Sequence, residues 1–343
     1  MDRQFRRITR AQALDQGFTD RQLSHLVRSG ALHRIRPGEF ALSDEWSPSN
    51  RRERHRELVL RTAERVASPQ IYSHHAAAAL WGIRIHGSWP DRVDVLVDRT
   101  GGGRSTGRMR RHAIGIDERE VVELDGLLVT SPAQTVIDLA RRLPFIDGVV
   151  VADSALGTAF GRARLTTPEE LLARLEAGGR GRGMTRARAV AAEADGRAES
   201  PPETVSRLGT ILLGFPRPEI QREFDTARGK RRVDQWWVEH GHAGECDGAA
   251  KYTDAEMLRG RNPVEVFREE KRRDRELLAL PEVNRITHWE PGDLYPPARF
   301  YDLLRSAGLP SRFPRPLFTS WSAADAALLS MPTRSSLAPQ FSA

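Results

Sequence analysis

The chain has 343 residues, which is longer than one hydrophobic core usually supports, so we expect more than one domain. Its single cysteine, Cys246, excludes an internal disulfide framework and cysteine-rich zinc sites, and is typical of a protein of the reducing cytoplasm. The formal charge of +7 favours a polyanionic partner, and no segment reaches the roughly 18 apolar residues of a membrane span, so we predict a cytoplasmic protein with no membrane partner.

The first 43 residues predict a winged helix-turn-helix domain. Two capped helices, 9–16 and 19–30, are followed by two short strands around the turn Arg36-Pro37-Gly38-Glu39, which forms the wing. Residues 1–36 contain eight arginines against three aspartates, a balance typical of a surface that contacts phosphates. The alternative is a solvated polar face that contacts the rest of the protein.

In a winged helix the second helix enters the major groove of DNA and the wing follows the backbone. The side chains expected to contact DNA are Arg21, Gln22, Ser24, His25 and Arg28 on the second helix, and Arg34 and Arg36 on the wing.

Residues 8–42 carry a resemblance to a known family. They begin Ile-Thr-Arg-Ala-Gln-Ala-Leu and end Leu-His-Arg-Ile-Arg-Pro-Gly-Glu-Phe-Ala-Leu, and they resemble the N-terminal winged-helix domain of AbiEi-family antitoxins of type IV toxin–antitoxin systems. The resemblance implies a domain that binds double-stranded operator DNA and represses its own promoter. It also implies a cognate nucleotidyltransferase-like toxin as a partner.

Residues 44–156 predict an AbiEi-like α/β middle region, in which Thr130 to Ala140 resembles the corresponding stretch of that family. Its helices are expected at 50–66, 73–80 and 132–140, and its strands at 92–97, 109–114 and 127–129. We interpret His74, His75 and His112 as helix-surface or capping residues rather than metal ligands. Residues 157–199, rich in Gly, Ala, Arg and Glu, predict a linker with short helices.

Residues 200–306 predict a helix, three strands, a helix and a strand, which is the core order of the PD-(D/E)XK nuclease fold. The helices are expected at 200–212 and 263–278, and the strands at 220–225, 232–238, 243–247 and 283–289. Residues 307–343, where proline and serine are frequent, predict a disordered tail. The fold class we predict is α+β multidomain, with a winged helix-turn-helix, an α/β middle region and a restriction-endonuclease-like α/β/α core.

The residues expected to carry chemistry are Glu203, Asp234, Glu245, Asp247 and Lys251. Phosphodiester cleavage uses carboxylates that hold Mg²⁺, a cation that prefers oxygen ligands, together with a positive group near the developing charge. Glu245 and Asp247 are two residues apart, so on a strand they point the same way. Only three of the 53 basic residues are lysines, and all three flank these acids.

The ordered motifs of this region resemble the endonuclease-like domain of very-short-patch-repair relatives, as found behind AbiEi-type winged helices in actinobacteria. They are Ser200-Pro201-x-Glu203, Pro218-x-x-Gln221, Arg232-Val233-Asp234, Glu245-x-Asp247-Gly248-x-x-Lys251-Tyr252 and Glu270-Lys271-Arg272-Arg273. The resemblance implies that Asp234 bridges a Mg²⁺ ion, that Glu245 is its second ligand and that Glu203 contributes from the first helix. Asp247 stands where the nuclease pattern has a lysine, so the cation is expected from Lys251 or Lys271.

Each acid also has a structural interpretation. Glu203 is the third residue of a capping box begun by Ser200, Asp234 suits a polar position on an edge strand, and Glu245 with Asp247 suits a turn. The leading hypothesis is a DNA-binding, AbiEi antitoxin-like transcriptional regulator that carries an endonuclease-like domain. The alternative is an active Mg²⁺-dependent DNA endonuclease in defence or very-short-patch-type repair, and a third is a scaffold that binds a partner protein.

Overall fold

A computed structural model describes residues 7–28, 32–36, 39–42, 51–101, 107–158, 163–247 and 263–324. The chain is a mixed α/β protein that divides into two compact units. The first unit comprises Met1–Gly82, Ser88–Ile116 and Glu123–Leu128, and the second comprises Ile83–Gly87, Asp117–Val122 and Val129–Ala343.

The first unit begins with two short helices and a three-stranded antiparallel sheet. The elements are β1 (Arg7–Thr9), α1 (Arg10–Asp15), α2 (Asp20–Arg28), β2 (Leu32–Arg36) and β3 (Glu39–Leu42), and the strand order is β1-β3-β2. Thr9 caps α1, as the sequence predicted, and it forms a capping box with Gln12 that satisfies free amide groups at the start of the helix. A small core of Ala13, Leu23, Leu32 and Phe40 holds the helices on the sheet.

The rest of the first unit contains two helices and a mixed sheet. The elements are α3 (Arg51–Ala63), β4 (Ile71–Tyr72), α4 (His74–Trp81), β5 (Val93–Val97) and β6 (Met109–Ala113). β5 pairs antiparallel with β4 and parallel with β6. Four buried alanines, 76–79, allow α4 to pack closely, and Gly82 ends it at φ 72°, a left-handed conformation that favours glycine.

β7 (Val121–Leu124) and β8 (Leu127–Thr130) form a hairpin whose turn is Asp125-Gly126. Both turn residues have positive φ, 51° and 77°, which matches the right-handed twist of the paired strands. Four helices of the second unit follow, namely α5 (Pro132–Ala140), α6 (Phe145–Leu156), α7 (Pro168–Ala177) and α8 (Met184–Glu193).

The segment 157–199, predicted as a linker with short helices, contains two such helices, but they are packed into the unit. In the part that the structure describes, α7 and α8 bury Leu171, Leu175, Met184 and Val190. The apolar residues at helical spacing therefore decide the packing of this segment, although a Gly-rich stretch separates the two helices. Each buried side chain stabilises the fold by more than about 1 kcal/mol.

Among its described residues, the second unit continues with a four-stranded mixed sheet and three helices. The elements are α9 (Pro201–Leu212), β9 (Glu219–Thr226), β10 (Gly229–Trp237), β11 (His242–Cys246), α10 (Pro263–Leu278), β12 (Arg285–Trp289) and α11 (Pro297–Ser306). The strand order is β12-β11-β10-β9, antiparallel except for the parallel pair β11–β12. The predicted order of helix, three strands, helix and strand is observed, with Phe224, Val233, Trp236 and Leu277 in the core.

Residues 307–324 are packed, in contrast to the predicted disordered tail. Leu309 and Trp321 are buried, and the Trp321 Nε1–H donates a hydrogen bond to the carbonyl of Leu294 at 3.0 Å. Residues 325–343 lie outside the described part of the chain. None of the helices within the described ranges combines the length and the apolar character needed to cross a bilayer.

Candidate functional site

Four polar residues form a row across the sheet of the second unit, one on each strand. The parallel β11–β12 register pairs Glu245 with His288. Continuing the β9–β10 and β10–β11 registers by one residue places Asp234 beside both Gln221 and Glu245. Because cross-strand neighbours project from the same face, the side chains of Gln221, Asp234, Glu245 and His288 can interact. We call these four residues the acidic row.

Glu203 reaches the acidic row from the first turn of α9. Its Oε1 accepts a hydrogen bond from the Ser200 hydroxyl at 2.7 Å, and its Oε2 accepts from the Glu199 amide at 2.8 Å. Gln221 Nε2 donates to Glu203 Oε2 at 3.1 Å and to Asp234 Oδ1 at 3.3 Å. Glu203 is therefore a helix-capping residue and a neighbour of Asp234 at once, so the two interpretations do not compete.

The electrostatics at Glu203 favour its protonated form. Burial raises the pKa of Glu203 to about 7, and the negative charge of Asp234 adds to the effect. Asp234 Oδ2 in turn accepts a hydrogen bond from the Cys246 amide at 2.8 Å. These two carboxylates are thus held close together at the cost of mutual repulsion.

Gln221 is a member of the site that the prediction of site residues omitted. It adopts φ 56° inside β9, in the left-handed region that side-chain-bearing residues rarely enter. Its Oε1 is buried and makes no hydrogen bond within the described residues. Backbone strain of this kind concentrates at functional sites. The sequence signal that marks it is the Pro218-x-x-Gln221 motif.

Glu245 is neutralised by an arginine of α10. Arg273 Nη2 donates to Glu245 Oε1 at 2.7 Å, and the Glu245 side chain is only 5% exposed. Burial raises the pKa of Glu245 to about 8; Asp234 and Asp247 raise it further, while Arg273 and His288 oppose the shift. Sequence reasoning assigned no role to Arg273, because the residue follows Glu245 by 28 positions and meets it only through packing.

His288 is held between two carboxylates. Its Nδ1 contacts Asp247 Oδ2 at 2.6 Å and its Nε2 contacts Asp274 Oδ1 at 3.3 Å. These hydrogen bonds raise the pKa of His288 to about 10, so the ring is positively charged at neutral pH. Asp247 therefore belongs to a His–carboxylate cluster beside the acidic row. Lys271, one predicted cation donor, contacts Asp274 at 3.8 Å, and Lys251, the other, lies outside the described residues.

The oxygen donors of Glu203, Asp234 and Gln221 suit a hard cation such as Mg²⁺ in chemical type, and the Gln221 Oε1 is an acceptor without a partner among the described residues. The predicted ligand pair of Asp234 and Glu245 is adjacent, but Glu245 is occupied by Arg273. Over the described ranges, no group of three or more His, Cys, Asp or Glu side chains is arranged to hold a metal ion. A cation at Glu245 would therefore share the carboxylate with Arg273, which already contacts Oε1.

The predicted DNA-contacting residues lie at the other end of the chain, in the first unit. On α2, Arg21, Ser24 and His25 are exposed, whereas Leu23 is buried in the small core. Gln22 is also exposed, and its Oε1 accepts a hydrogen bond from the Thr19 amide at 2.8 Å, so it caps the helix. The side chains of Arg28 at the end of α2, and of Arg34 and Arg36 on β2, fall outside the described part.

A second polar cluster of the first unit is centred on Asp94, which is completely buried on β5. Its carboxylate contacts His112 Nε2 at 2.8 Å and His75 Nδ1 at 3.1 Å. The ring of His74, at φ 49°, stacks on His112 with centroids 3.8 Å apart. His74 and His112 are buried, in contrast to the surface or capping role that we predicted.

Burial opposes the charged form of Asp94, but the hydrogen bonds from His112 and His75 hold its pKa well below the usual range. The Asp94 cluster is thus a satisfied network, and sequence reasoning missed it because its members come from three separate elements.

No family model matches the chain. It is similar to two curated relatives, uncharacterized protein MT2308 of Mycobacterium tuberculosis strain CDC 1551 / Oshkosh and uncharacterized protein Rv2248 of strain ATCC 25618 / H37Rv. Each is 36% identical over 138 residues, which are 40% of this chain and 49% of the relative. The chain therefore spans about half the length of the curated relatives it matches.

Proposed function

We propose that this protein is a DNA-binding transcriptional regulator of the AbiEi antitoxin-like type. The observation that carries the proposal is the exposed polar face of α2, with Arg21, Ser24 and His25, on a helix whose Leu23 is buried against the β1-β3-β2 sheet. Two helices followed by a hairpin that pairs with β1 support a winged helix-turn-helix under this proposal.

The charge distribution supports the same proposal. Arginines outnumber aspartates eight to three in residues 1–36, and the whole chain carries a formal charge of +7. Lys and Arg at a DNA interface release counterions from the duplex, so binding should weaken steeply as salt increases. The family resemblance adds a cognate nucleotidyltransferase-like toxin as a second partner under this proposal.

A binding assay on the full chain tests the proposal. Duplexes selected from a randomised library, together with the DNA upstream of the coding sequence, would be titrated by fluorescence anisotropy. Replacing Arg21 and His25 together by alanine should weaken binding at least tenfold, since both side chains occupy the exposed face of α2. Arg92→Ala, an exposed arginine elsewhere in the first unit, is the matched control. Equal affinity of the double variant and the wild type would refute the assignment.

The second candidate function is an active Mg²⁺-dependent DNA endonuclease. It is favoured by the approach of Glu203, Asp234 and Glu245 to one another on the sheet, with the strained Gln221 bridging two of them. When bound, Mg²⁺ would activate water and neutralise charge on the phosphate. The residues that would hold it are Asp234 with Glu203 or Glu245.

Plasmid nicking with Mg²⁺ or Mn²⁺ tests this second candidate. Asp234→Asn should abolish nicking because it removes the carboxylate at the centre of the row. Asp225→Asn, which changes an exposed aspartate at the end of β9, should leave nicking unchanged. Cleavage that persists in Asp234→Asn would assign the nicking to another protein or another site.

A further inference from the structure

Arg273 brings a guanidinium group from α10 to the acidic row. One of its nitrogens, Nη2, donates both to Glu245 Oε1 at 2.7 Å and to the backbone carbonyl of Arg232. These two anchors fix the end of the side chain between β10 and β11. The guanidinium is thus held in place before any ligand arrives.

Two of the three guanidinium nitrogens of Arg273 are available to donate hydrogen bonds. Its side chain is 28% exposed, and neither its Nε nor its Nη1 makes a hydrogen bond to any described residue. A guanidinium presents five N–H groups in a planar fork that matches two oxygens of a phosphate. A partly exposed guanidinium with unfilled donors is therefore suited to an oxyanion from solution.

The other cations beside the row lie against acids other than Glu245. Both ring nitrogens of His288 contact carboxylates, those of Asp247 and Asp274. Lys271 points its Nζ to Asp274 at 3.8 Å. Asp247 stands at the position where the nuclease pattern has a lysine. It pairs with His288, so this position supplies no positive charge of its own.

We propose that Arg273 binds a phosphate oxygen of the nucleic-acid backbone at the acidic row, which is the role that the missing lysine would have on β11. The ligand is a phosphodiester, and the contact is independent of base sequence because it reaches only the backbone. This inference rests on the proposed function, namely that the chain binds DNA. Glu245 serves in it as the group that orients Arg273.

The salt dependence of DNA binding tests the inference on the full chain. The variant would combine Glu245→Gln with Arg273→Gln, which removes both partners of the contact and leaves no unpaired buried charge. The probe is a 20-base-pair duplex of arbitrary sequence, measured by anisotropy over a series of KCl concentrations, in EDTA and at a fixed Ca²⁺ concentration. If Arg273 binds a phosphate, the slope of log affinity against log salt should decrease in magnitude by about 0.9.

A matched control is available on the same helix. Arg231 of β10 pairs with Glu276 of α10 at 2.6 Å, with side-chain exposures of 25% and 11%. Replacing both by glutamine removes a strand-to-helix ion pair of the same kind without touching the row. We expect wild-type slope and affinity for this control, and roughly tenfold weaker binding for the Glu245–Arg273 variant on every duplex sequence.

Three outcomes would overturn the inference. An unchanged slope in the Glu245–Arg273 variant, with normal wild-type binding, would leave Arg273 as an internal counter-ion only, while the proposed function stands. The same loss in the Arg231–Glu276 control would show a general effect of lost ion pairs. Absence of any DNA binding by the wild type would refute both the inference and the proposed function.

A further variant, Arg273→Lys, keeps the positive charge but not the planar guanidinium. It should retain the slope of log affinity against log salt and bind with weaker affinity.

Discussion

Asp94 on β5 and Glu245 on β11 are both buried carboxylates, but the charges around them differ. Asp94 accepts hydrogen bonds from two histidines, and its pKa is lowered. Glu245 has one arginine partner and two acidic neighbours, Asp234 and Asp247, and its pKa is raised. The surroundings of Asp94 therefore stabilise its negatively charged form, whereas those of Glu245 destabilise it.

The difference distinguishes a cluster that supports the fold from a cluster that is suited to bind a ligand. A buried network whose donors and acceptors are all paired rigidifies its surroundings. Acids held together against their repulsion retain free energy that a cation or a proton releases, which is why such groups concentrate at functional sites. The comparison predicts opposite responses to substitution and to pH in the two clusters.

The largest effect is expected at the Asp94 cluster. Asp94→Ala should lower the free energy of unfolding by about 3 kcal/mol, because His75 and His112 would lose their buried acceptor. Urea denaturation followed by tryptophan fluorescence measures the change. Asp91→Ala, which removes an exposed aspartate next to β5, should cost less than about 0.5 kcal/mol. A loss below 1 kcal/mol for Asp94→Ala, by the same scale, would show that the network is dispensable.

A pH effect of intermediate size is expected at Glu203. Its pKa in the fold is raised from 4.5 to about 7, so between these values the folded state binds more protons than the unfolded state. The free energy of unfolding should therefore fall by roughly 2 kcal/mol as pH rises through this window. Urea denaturation of the wild type and of Glu203→Gln at a series of pH values measures the difference. The free energy of unfolding should fall less steeply with pH in the variant, and the remaining slope comes from other raised carboxyls such as Glu245.

Asp94 predicts the opposite sign at lower pH. Its pKa is lowered in the fold, so its contribution is complete above the unfolded value of about 4 and is lost as pH falls below it. For Glu203, the contradicting outcome is a free energy of unfolding that changes equally with pH in Glu203→Gln and in the wild type between pH 4.5 and 7. That result would mean that burial and the charge of Asp234 do not raise the pKa of Glu203.

The smallest effect is expected at Asp234. Asp234→Asn removes one negative charge beside Glu203 and Glu245 and should raise the free energy of unfolding by about 1 kcal/mol. Thermal unfolding of this variant, compared with Asp225→Asn on β9, measures the gain. Destabilisation instead would mean that the hydrogen bond from the Cys246 amide outweighs the repulsion.

Local signals predicted much of the secondary structure. Thr9 and Ser200 were expected to cap helices, and each side chain accepts a hydrogen bond from the backbone amide three residues further along the chain. Composition predicted a disordered tail at 307–324, where the chain is packed, and it did not predict that the short helices of 157–199 are packed. There, buried residues such as Leu171 and Trp321 outweigh the Gly-rich or Pro-rich sequence around them. A few apolar side chains decide packing, and composition averages over them.

The candidate site was predicted in part. Glu203, Asp234 and Glu245 were recognised because acidic residues in and beside strands are unusual and their order matched a motif. Gln221 carried a motif but no charge, so it was passed over as a site residue. Arg273 belonged to a quoted motif but was given no role, and His288 carried no sequence signal, because the two residues meet Glu245 only through helix packing and parallel strand register.

The sequence alone determined that Glu203 lies at the start of a helix and that Asp234, Glu245 and Asp247 lie on or beside successive strands. Helix caps and strand alternation are local properties of the chain. Only the tertiary structure decided which groups stand beside these acids. In the fold, Glu245 is hydrogen-bonded to Arg273, Asp247 to His288 and Glu203 to Gln221. The register of four strands and the packing of α10 bring these residues together although they are far apart in sequence. The charge state of the site therefore depends on contacts that no local pattern encodes.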